Sequence, residues 1–161
     1  MKNLALALAT LFLFGCSSYQ LGAPKAAFRS IEIAPIRNST PRPGTHAVLQ
    51  GKITEALAAD PRIKVGPGDA LLSTEVTQYR REGFTTKTGD AYAYTSYRVT
   101  FVVRCTLTAD GGRRVLFKDR DFTSIATLQL SGDSAAEELS LAPTLFANIA
   151  SQIREAATTA W

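Results

Sequence analysis

The sequence predicts an α+β fold in which two helices pack on one face of a mainly antiparallel sheet. Residues 97–108 alternate strictly between apolar and polar side chains, which is the pattern of a strand with one buried and one solvated face. Two other stretches, 45–59 and 140–158, repeat apolar residues at helical spacing. Strand, helix, several strands and helix follow one another along the chain, and this order suits a two-layer sandwich.

The first fifteen residues have the features of an export signal. Lys2 is their only charge, and the apolar run after it is too short to span a bilayer. The run ends in Leu13-Phe14-Gly15-Cys16, which resembles the lipobox of bacterial lipoproteins. In that motif the cysteine thiol takes a diacylglycerol, the leader is cut before the cysteine, and the new amine is acylated. We therefore expect lipid attachment at Cys16; an ordinary cleaved signal is the alternative.

This processing divides the chain into a cleaved signal peptide, residues 1–15, a lipidated N-terminal segment, residues 16–29, and a single sandwich domain, residues 30–161. The leader takes away one basic residue, which leaves 17 basic against 14 acidic residues and a formal charge of +3. No second apolar run reaches membrane-spanning length, so we expect a soluble body tethered by its lipid. Ser17 is not the aspartate that retains lipoproteins in the inner membrane of many bacteria, and this resemblance favours the outer membrane.

The first part of the domain predicts one strand and one helix. The strand spans residues 30–36, and residues 37–44 are rich in turn formers, which indicates a loop. Thr45 is predicted to cap a helix that ends near Ala59. His46 is the only histidine and has no second ligand at metal spacing, so we expect it on the surface.

The middle of the chain predicts two strands joined by a long connection. A brief extended piece at residues 63–65 precedes the first strand, which spans about residues 70–80. The polar residues 81–92 indicate a long hairpin connection, and ragged extensions of the two strands are the alternative. The second strand, residues 97–108, is the clearest in the chain. It places Cys105 on the apolar face, where a free cysteine behaves as a small buried hydrophobe.

The last part predicts a returning strand and a helix. The turn Asp110-Gly111-Gly112 leads into a strand with a bulge near Asp119. Residues 131–133 are expected to end the sheet. The final helix is predicted to start at Ser140, because Pro143 is then in the first turn, where its missing N–H removes no helical hydrogen bond. Residues 134–139 would form a separate helical turn or join this helix, and the sequence leaves both possibilities open.

Catalytic and metal-binding patterns are missing from the sequence. There is one histidine, no nucleophile elbow, no phosphate loop and no cluster of metal ligands. The acidic pairs Glu137-Glu138 and Asp119 with Asp121 are interpreted as solvated side chains. The sequence therefore predicts a protein that is not an enzyme and carries no cofactor beyond the covalent lipid of Cys16. The small net charge and the exported location also argue against a nucleic-acid partner.

Basic side chains gather at two places along the predicted strands. The group near the hairpin connection consists of Arg80, Arg81 and Lys87, and the group after the Gly-Gly turn consists of Arg113, Arg114, Lys118 and Arg120. Arg98 and Arg104 project from the solvated face of the long strand. In an antiparallel meander the two groups lie at opposite ends of the sheet. Taken alone, such charges are most simply solvated strand edges, which use charge to avoid pairing with other chains.

Several short motifs of the sequence match those of one known family in their order and spacing. They are a lipidated cysteine followed by Tyr19-Gln20-Leu21, a first strand and Asn-x-Thr loop over residues 30–40, a helix ending in Glu55-Ala56-Leu57, the strand opening Tyr97-Arg98-Val99 and a closing helix before Trp161. Together they resemble the LptE-type family of lipopolysaccharide-assembly lipoproteins. Pro143 in the last helix and the plain Leu71-Leu72, where an Ala-Asp pair is common, depart from the family pattern.

The resemblance implies two helices on a four-stranded sheet and a non-enzymatic role. It implies an outer-membrane lipoprotein, on the periplasmic side, that plugs an LptD-like β-barrel translocon and binds lipopolysaccharide. Lipopolysaccharide phosphates suit arginine and lysine, so both basic groups are candidate ligand sites. The Arg80, Arg81 and Lys87 group is preferred, because a long hairpin reaches further from the body than a tight turn. Two alternatives stay open: an adaptor or activator of a cell-wall enzyme, and a lipid-anchored enzyme.

Overall fold

The computed structural model describes residues 27–129 and 134–159, which form six strands and two helices. The predicted leader, Cys16 and the expected sheet end at residues 131–133 lie outside the described residues. The strands are β1 (Ser30–Ile33), β2 (Arg37–Asn38), β3 (Lys64–Val65), β4 (Ala70–Lys87), β5 (Asp90–Ala109) and β6 (Arg114–Gln129), and the helices are α1 (Thr45–Ala58) and α2 (Ser134–Thr159).

The sheet is mixed. Its strand order is β3-β1-β4-β5-β6, and β2 also pairs with β4. β4, β5 and β6 are antiparallel, whereas β1 runs parallel to β3 and β4, and β2 runs parallel to β4. The α+β class is confirmed, but the mainly antiparallel, four-stranded detail is wrong. α1 connects β1 to β4 as a crossover, which returns the chain in the same direction, and β2 and β3 are too short to show a periodicity.

Both helices contribute to one core on one face of the sheet, which we call the inner face. The fully buried side chains of the helices are Leu49, Ile53 and Leu57 of α1 and Phe146, Ile149 and Ile153 of α2. β5 adds Val99, Phe101, Val103, Cys105 and Leu107, so the predicted buried face of this strand is confirmed. Burial raises the pKa of the Cys105 thiol to about 12, which keeps it protonated and makes it a packing residue.

β4 and β5 continue far beyond their predicted ends. β4 runs to Lys87 and β5 begins at Asp90, so most of residues 81–92 form strands. The long connection is therefore wrong, and the alternative of strand extensions is the one that forms. Gly89 makes the tight turn with a φ of 86°. Every residue from 82 to 87 is exposed, so no buried face imposes an apolar alternation on this segment. We call the paired segment of residues 82–98 the arm.

α2 is one helix from Ser134 to Thr159, and the predicted start at Ser140 is wrong. Pro143 lies inside the helix and offers no N–H to the carbonyl of Leu139. The turns before the proline stay in place because Glu138 is anchored by Arg42 of the loop before α1 and by Arg81 of β4. Among the described residues, no helix is long and apolar enough to cross a membrane.

The turns next to α1 and β6 determine where these elements begin. Gly44, with a φ of 75°, is the N-cap of α1, and the Thr45 hydroxyl donates to the Arg42 carbonyl at 3.4 Å instead of capping the helix. The predicted threonine cap is therefore wrong. The Asp110-Gly111-Gly112 turn has positive φ at all three residues. The predicted bulge is confirmed at Asp119, where φ is 49° and the β5–β6 register shifts.

Candidate functional site

The outer face of the sheet, opposite the helices, carries rows of polar side chains across neighbouring strands. In one row Arg104 of β5 grips Asp121 of β6, with its Nε and Nη2 donating to the two carboxylate oxygens at 2.8 and 3.0 Å. On the other side Arg37 donates to Glu75 at 3.3 Å. The bond with Arg104 lowers the pKa of Asp121. This face therefore presents fixed charges of both signs.

The structure divides the first basic group between the two faces of β4. Arg81 points to the inner side, where its guanidinium lies 4.1 Å from the centre of the Tyr97 ring and 3.4 Å from Glu138. Arg80 points to the outer side, is largely exposed and pairs with Glu82 at 3.4 Å. Lys87 is exposed at the end of the arm. Arg80 and Lys87 are thus available to a ligand, whereas Arg81 is engaged within the fold.

Glu138 is the centre of a buried polar cluster at the root of the arm. Its side chain is only 5% exposed, and its carboxylate accepts from the Tyr79 hydroxyl at 2.5 Å and pairs with Arg42 at 3.2 Å and with Arg81. Burial first, and then the bond to Glu138, raise the pKa of Tyr79 to about 12. The interpretation of Glu138 as a solvated side chain is wrong. The cluster holds α2, β4 and the loop before α1 together.

The second basic group is spread over the β5–β6 turn and the β6 edge. Arg113 donates to the Asp110 carbonyl at 3.0 Å, and Arg114 pairs with the Asp110 carboxylate at 3.3 Å and donates to a backbone carbonyl. Arg120 lies over the Phe122 ring at 5.3 Å, while Lys118 is exposed. The four residues do not form one patch, because two brace the turn and one packs on an aromatic side chain.

Arg98 lies on the outer side of the arm, diagonally across from Arg80, which precedes the arm on β4. Its guanidinium lies 4.5 Å from the ring centre of Phe84, an aromatic side chain that is 54% exposed. We call Arg80, Phe84, Lys87 and Arg98 the arm patch. The grouping of basic residues along the chain missed Arg98, although strand pairing places it beside the first group, since it lies opposite Glu82.

The family of the chain follows from a comparison with protein-family models. The LptE family model, described as lipopolysaccharide-assembly, matches residues 28–157. This chain belongs to the LptE family. The resemblance seen in the sequence motifs is thereby confirmed. The family is one of non-enzymatic envelope lipoproteins. No curated protein sequence matches the chain.

Solved structures with the same fold include a protein from Xanthomonas campestris and one from Acinetobacter baumannii. A protein from Xanthomonas campestris has a TM-score of 0.58 at 14% identity, covering 83% of this chain and 86% of its own. A minor lipoprotein from Acinetobacter baumannii has a TM-score of 0.57 at 14% identity, covering 80% of this chain and 91% of its own. At these identities the likeness shows the fold alone.

The described residues offer no metal centre. His46 is exposed, as the sequence predicts. Within residues 27–129 and 134–159, no group of three His, Cys, Asp or Glu side chains is placed to hold an ion.

Proposed function

We propose that this protein is an outer-membrane lipoprotein that occupies a β-barrel lipopolysaccharide translocon and helps to deliver lipopolysaccharide to the cell surface. The observation that carries the proposal is the LptE match over residues 28–157. Acylated Cys16 would anchor the chain on the periplasmic side of the membrane. The body would then lie inside or against the barrel partner.

The outer face suits the polar interior of a barrel. Barrel lumens are lined with polar and charged side chains, because apolar residues of the strands face the lipid. The outer face offers matching groups in fixed positions, such as the pair Arg104–Asp121 and the pair Arg37–Glu75. Pre-paired charges lose little freedom on docking and still present open hydrogen-bonding positions.

The arm patch is the proposed contact for lipopolysaccharide phosphates. A guanidinium grips phosphate through two N–H groups, so contacts from Arg80 and Arg98 would be charge-assisted. Lys87 adds a third cation at the end of the arm. Phe84 offers an apolar surface beside these charges, which fits a ligand that joins phosphates to lipid.

The experiment is a titration of lipopolysaccharide against the detergent-solubilised full-length protein. The arm variant replaces by glutamine the three cations Arg80, Lys87 and Arg98. The control variant replaces by glutamine an equal number of cations in the second group, Arg113, Lys118 and Arg120. Arg81 is left unchanged, because its loss would remove one of the two cations that pair with the buried Glu138 and could destabilise the fold.

The arm variant should bind lipopolysaccharide at least about tenfold more weakly, since charge-assisted bonds contribute more than a kilocalorie each. Its thermal midpoint should stay unchanged, and binding by the wild type should weaken with salt. Weaker binding of only the control variant would place the ligand at the other end of the sheet. Unchanged binding in both variants would make these charges solvated strand edges.

A further inference from the structure

A polar cleft on the outer face lies apart from the arm patch. It has a volume of about 300 Å³ and lies between the β1–β2 connection and the bulge of β6. β4 and β5 form its floor. Its main lining residues are Pro35, Arg37, Glu75, Arg104, Thr106 and Asp119.

The charged groups of this cleft are fixed by their neighbours. Glu75 accepts from the Ser39 hydroxyl through Oε1 and from Arg37 through Oε2. Arg104 is held by both oxygens of Asp121. A ligand would therefore meet side chains that are already oriented, and binding would lose little side-chain entropy.

Asp119 is placed in the cleft by strained backbone. Its φ of 49° belongs to the left-handed region, which aspartate tolerates better than most residues. Its N–H donates to the Thr106 hydroxyl at 3.1 Å, and that hydroxyl lies 3.5 Å from its Oδ1. Bulges of this kind redirect side chains and are frequent beside binding sites.

The charged side chains that line the cleft limit the chemical class of ligand that can bind there. Two arginines face the carboxylates of Glu75 and Asp119, and Asp121 already neutralises Arg104. A phosphate would meet repulsion from Asp119, an organic cation would meet repulsion from Arg37 and Arg104, and the charged side chains of the walls would not suit an acyl chain. What remains is a neutral molecule that offers many hydroxyl groups.

We propose that this cleft binds a neutral saccharide. Sugar hydroxyls would donate to Asp119 and Glu75 and accept from Arg104, and the Pro35 ring would contact the apolar C–H face of the sugar. The inference goes beyond lipopolysaccharide delivery by phosphate contacts. The envelope offers this chemistry from two sources, the neutral sugars of lipopolysaccharide and the glycan of the cell wall.

The test is calorimetric titration of the full-length protein in a detergent without a sugar head group. One probe is a neutral oligosaccharide from the lipopolysaccharide core, freed from lipid, phosphate and acidic sugars. The other is diacetylchitobiose, which stands for the wall glycan. The variants are Asp119→Asn, which keeps the left-handed backbone, and Glu75→Gln; Glu55→Gln on the exposed side of α1 is the control.

At least one probe should bind the wild type. The probe that binds more tightly shows whether the saccharide comes from lipopolysaccharide or from the cell wall. Asp119→Asn and Glu75→Gln should each weaken that binding by about tenfold, through loss of a charged acceptor, with an unchanged thermal midpoint. Glu55→Gln should have no effect. The proposal is overturned if neither probe binds, or if both cleft variants bind like the wild type. Intact lipopolysaccharide, titrated in parallel, should still depend on the arm patch, so failure of the cleft leaves the proposed function standing.

Discussion

At the residue scale, Glu138 shows that the burial of a single side chain can depend on partners that are distant in the sequence. Glu138 lies four residues before Ala142 and thus on the apolar stripe of α2, a signal that was present in the sequence. Its burial depends on Arg42 and Arg81, which come from a loop and a strand far along the chain. Removing both arginines would leave a buried charge without a cation, which is strongly destabilising.

Tyr79→Phe tests this cluster through its pH dependence. The fold raises the pKa of Tyr79 from 10.0 to about 12, so it favours the protonated phenol. The stabilisation is complete below the unfolded pKa and is lost as the pH rises through the folded pKa. Between about pH 10 and 12 the wild type should therefore lose thermal stability more steeply than Tyr79→Phe. Parallel curves of midpoint against pH would contradict the assigned cluster.

Phe101→Ala tests the assignment of the two faces of β5. Phe101 is 3% exposed and packs on the rings of Tyr79 and Phe146, with centroid distances of 5.1 and 4.9 Å. Its truncation should lower the free energy of unfolding by about 3–5 kcal/mol. Thr100→Ala on the outer face should change it little. Chemical denaturation of both variants gives the comparison, and equal small losses would mean that the faces are assigned wrongly.

At the element scale, periodicity predicted the elements that have one buried face. β5 alternates along the core and both helices carry apolar stripes, so these elements were found. The arm was not predicted as regular strand because residues 82–87 are all exposed. β2 was missed because it has only two residues, whereas β3 lies within the extended piece predicted at residues 63–65. The division of Arg80 and Arg81 between two faces follows from strand geometry, which becomes usable once the strand is known to continue.

Two glycine substitutions compare a position where an added Cβ would have free space with one where it would meet an aromatic ring. A Cβ at Gly51 in α1 meets nothing within 4 Å, so Gly51→Ala should raise the free energy of unfolding by about 0.5–1 kcal/mol. A Cβ at Gly83 would lie 2.2 Å from the Tyr94 ring, which covers this position in the arm. Gly83→Ala must displace that ring and should not stabilise. Denaturant unfolding measures both, and a gain at Gly83 equal to that at Gly51 would contradict the packing of Tyr94.

At the scale of the whole molecule, the two-layer arrangement leaves one sheet face without a helix among the described residues. The sequence motifs predicted the LptE family, and the order of the elements predicted the α+β class. The grouping of basic residues along the chain included Arg80 and Lys87 of the arm patch, but it could not show that Arg81 turns inward and that Arg98 approaches from the neighbouring strand. The position of each arginine depends on contacts with residues that are distant in the sequence, and local sequence patterns do not contain this information.

The most direct test of the proposed role is the identification of what travels with the chain out of native membranes. Tagged full-length protein and its Cys16→Ala variant are extracted with mild detergent and purified, and their partners and mature N-termini are read by mass spectrometry. The wild type should carry an acylated Cys16 and bring an outer-membrane β-barrel protein, whereas the variant should remain an unlipidated precursor or be misprocessed. A wall-synthesis enzyme in place of the barrel, or a lipidated protein that travels alone, would contradict the role in lipopolysaccharide assembly.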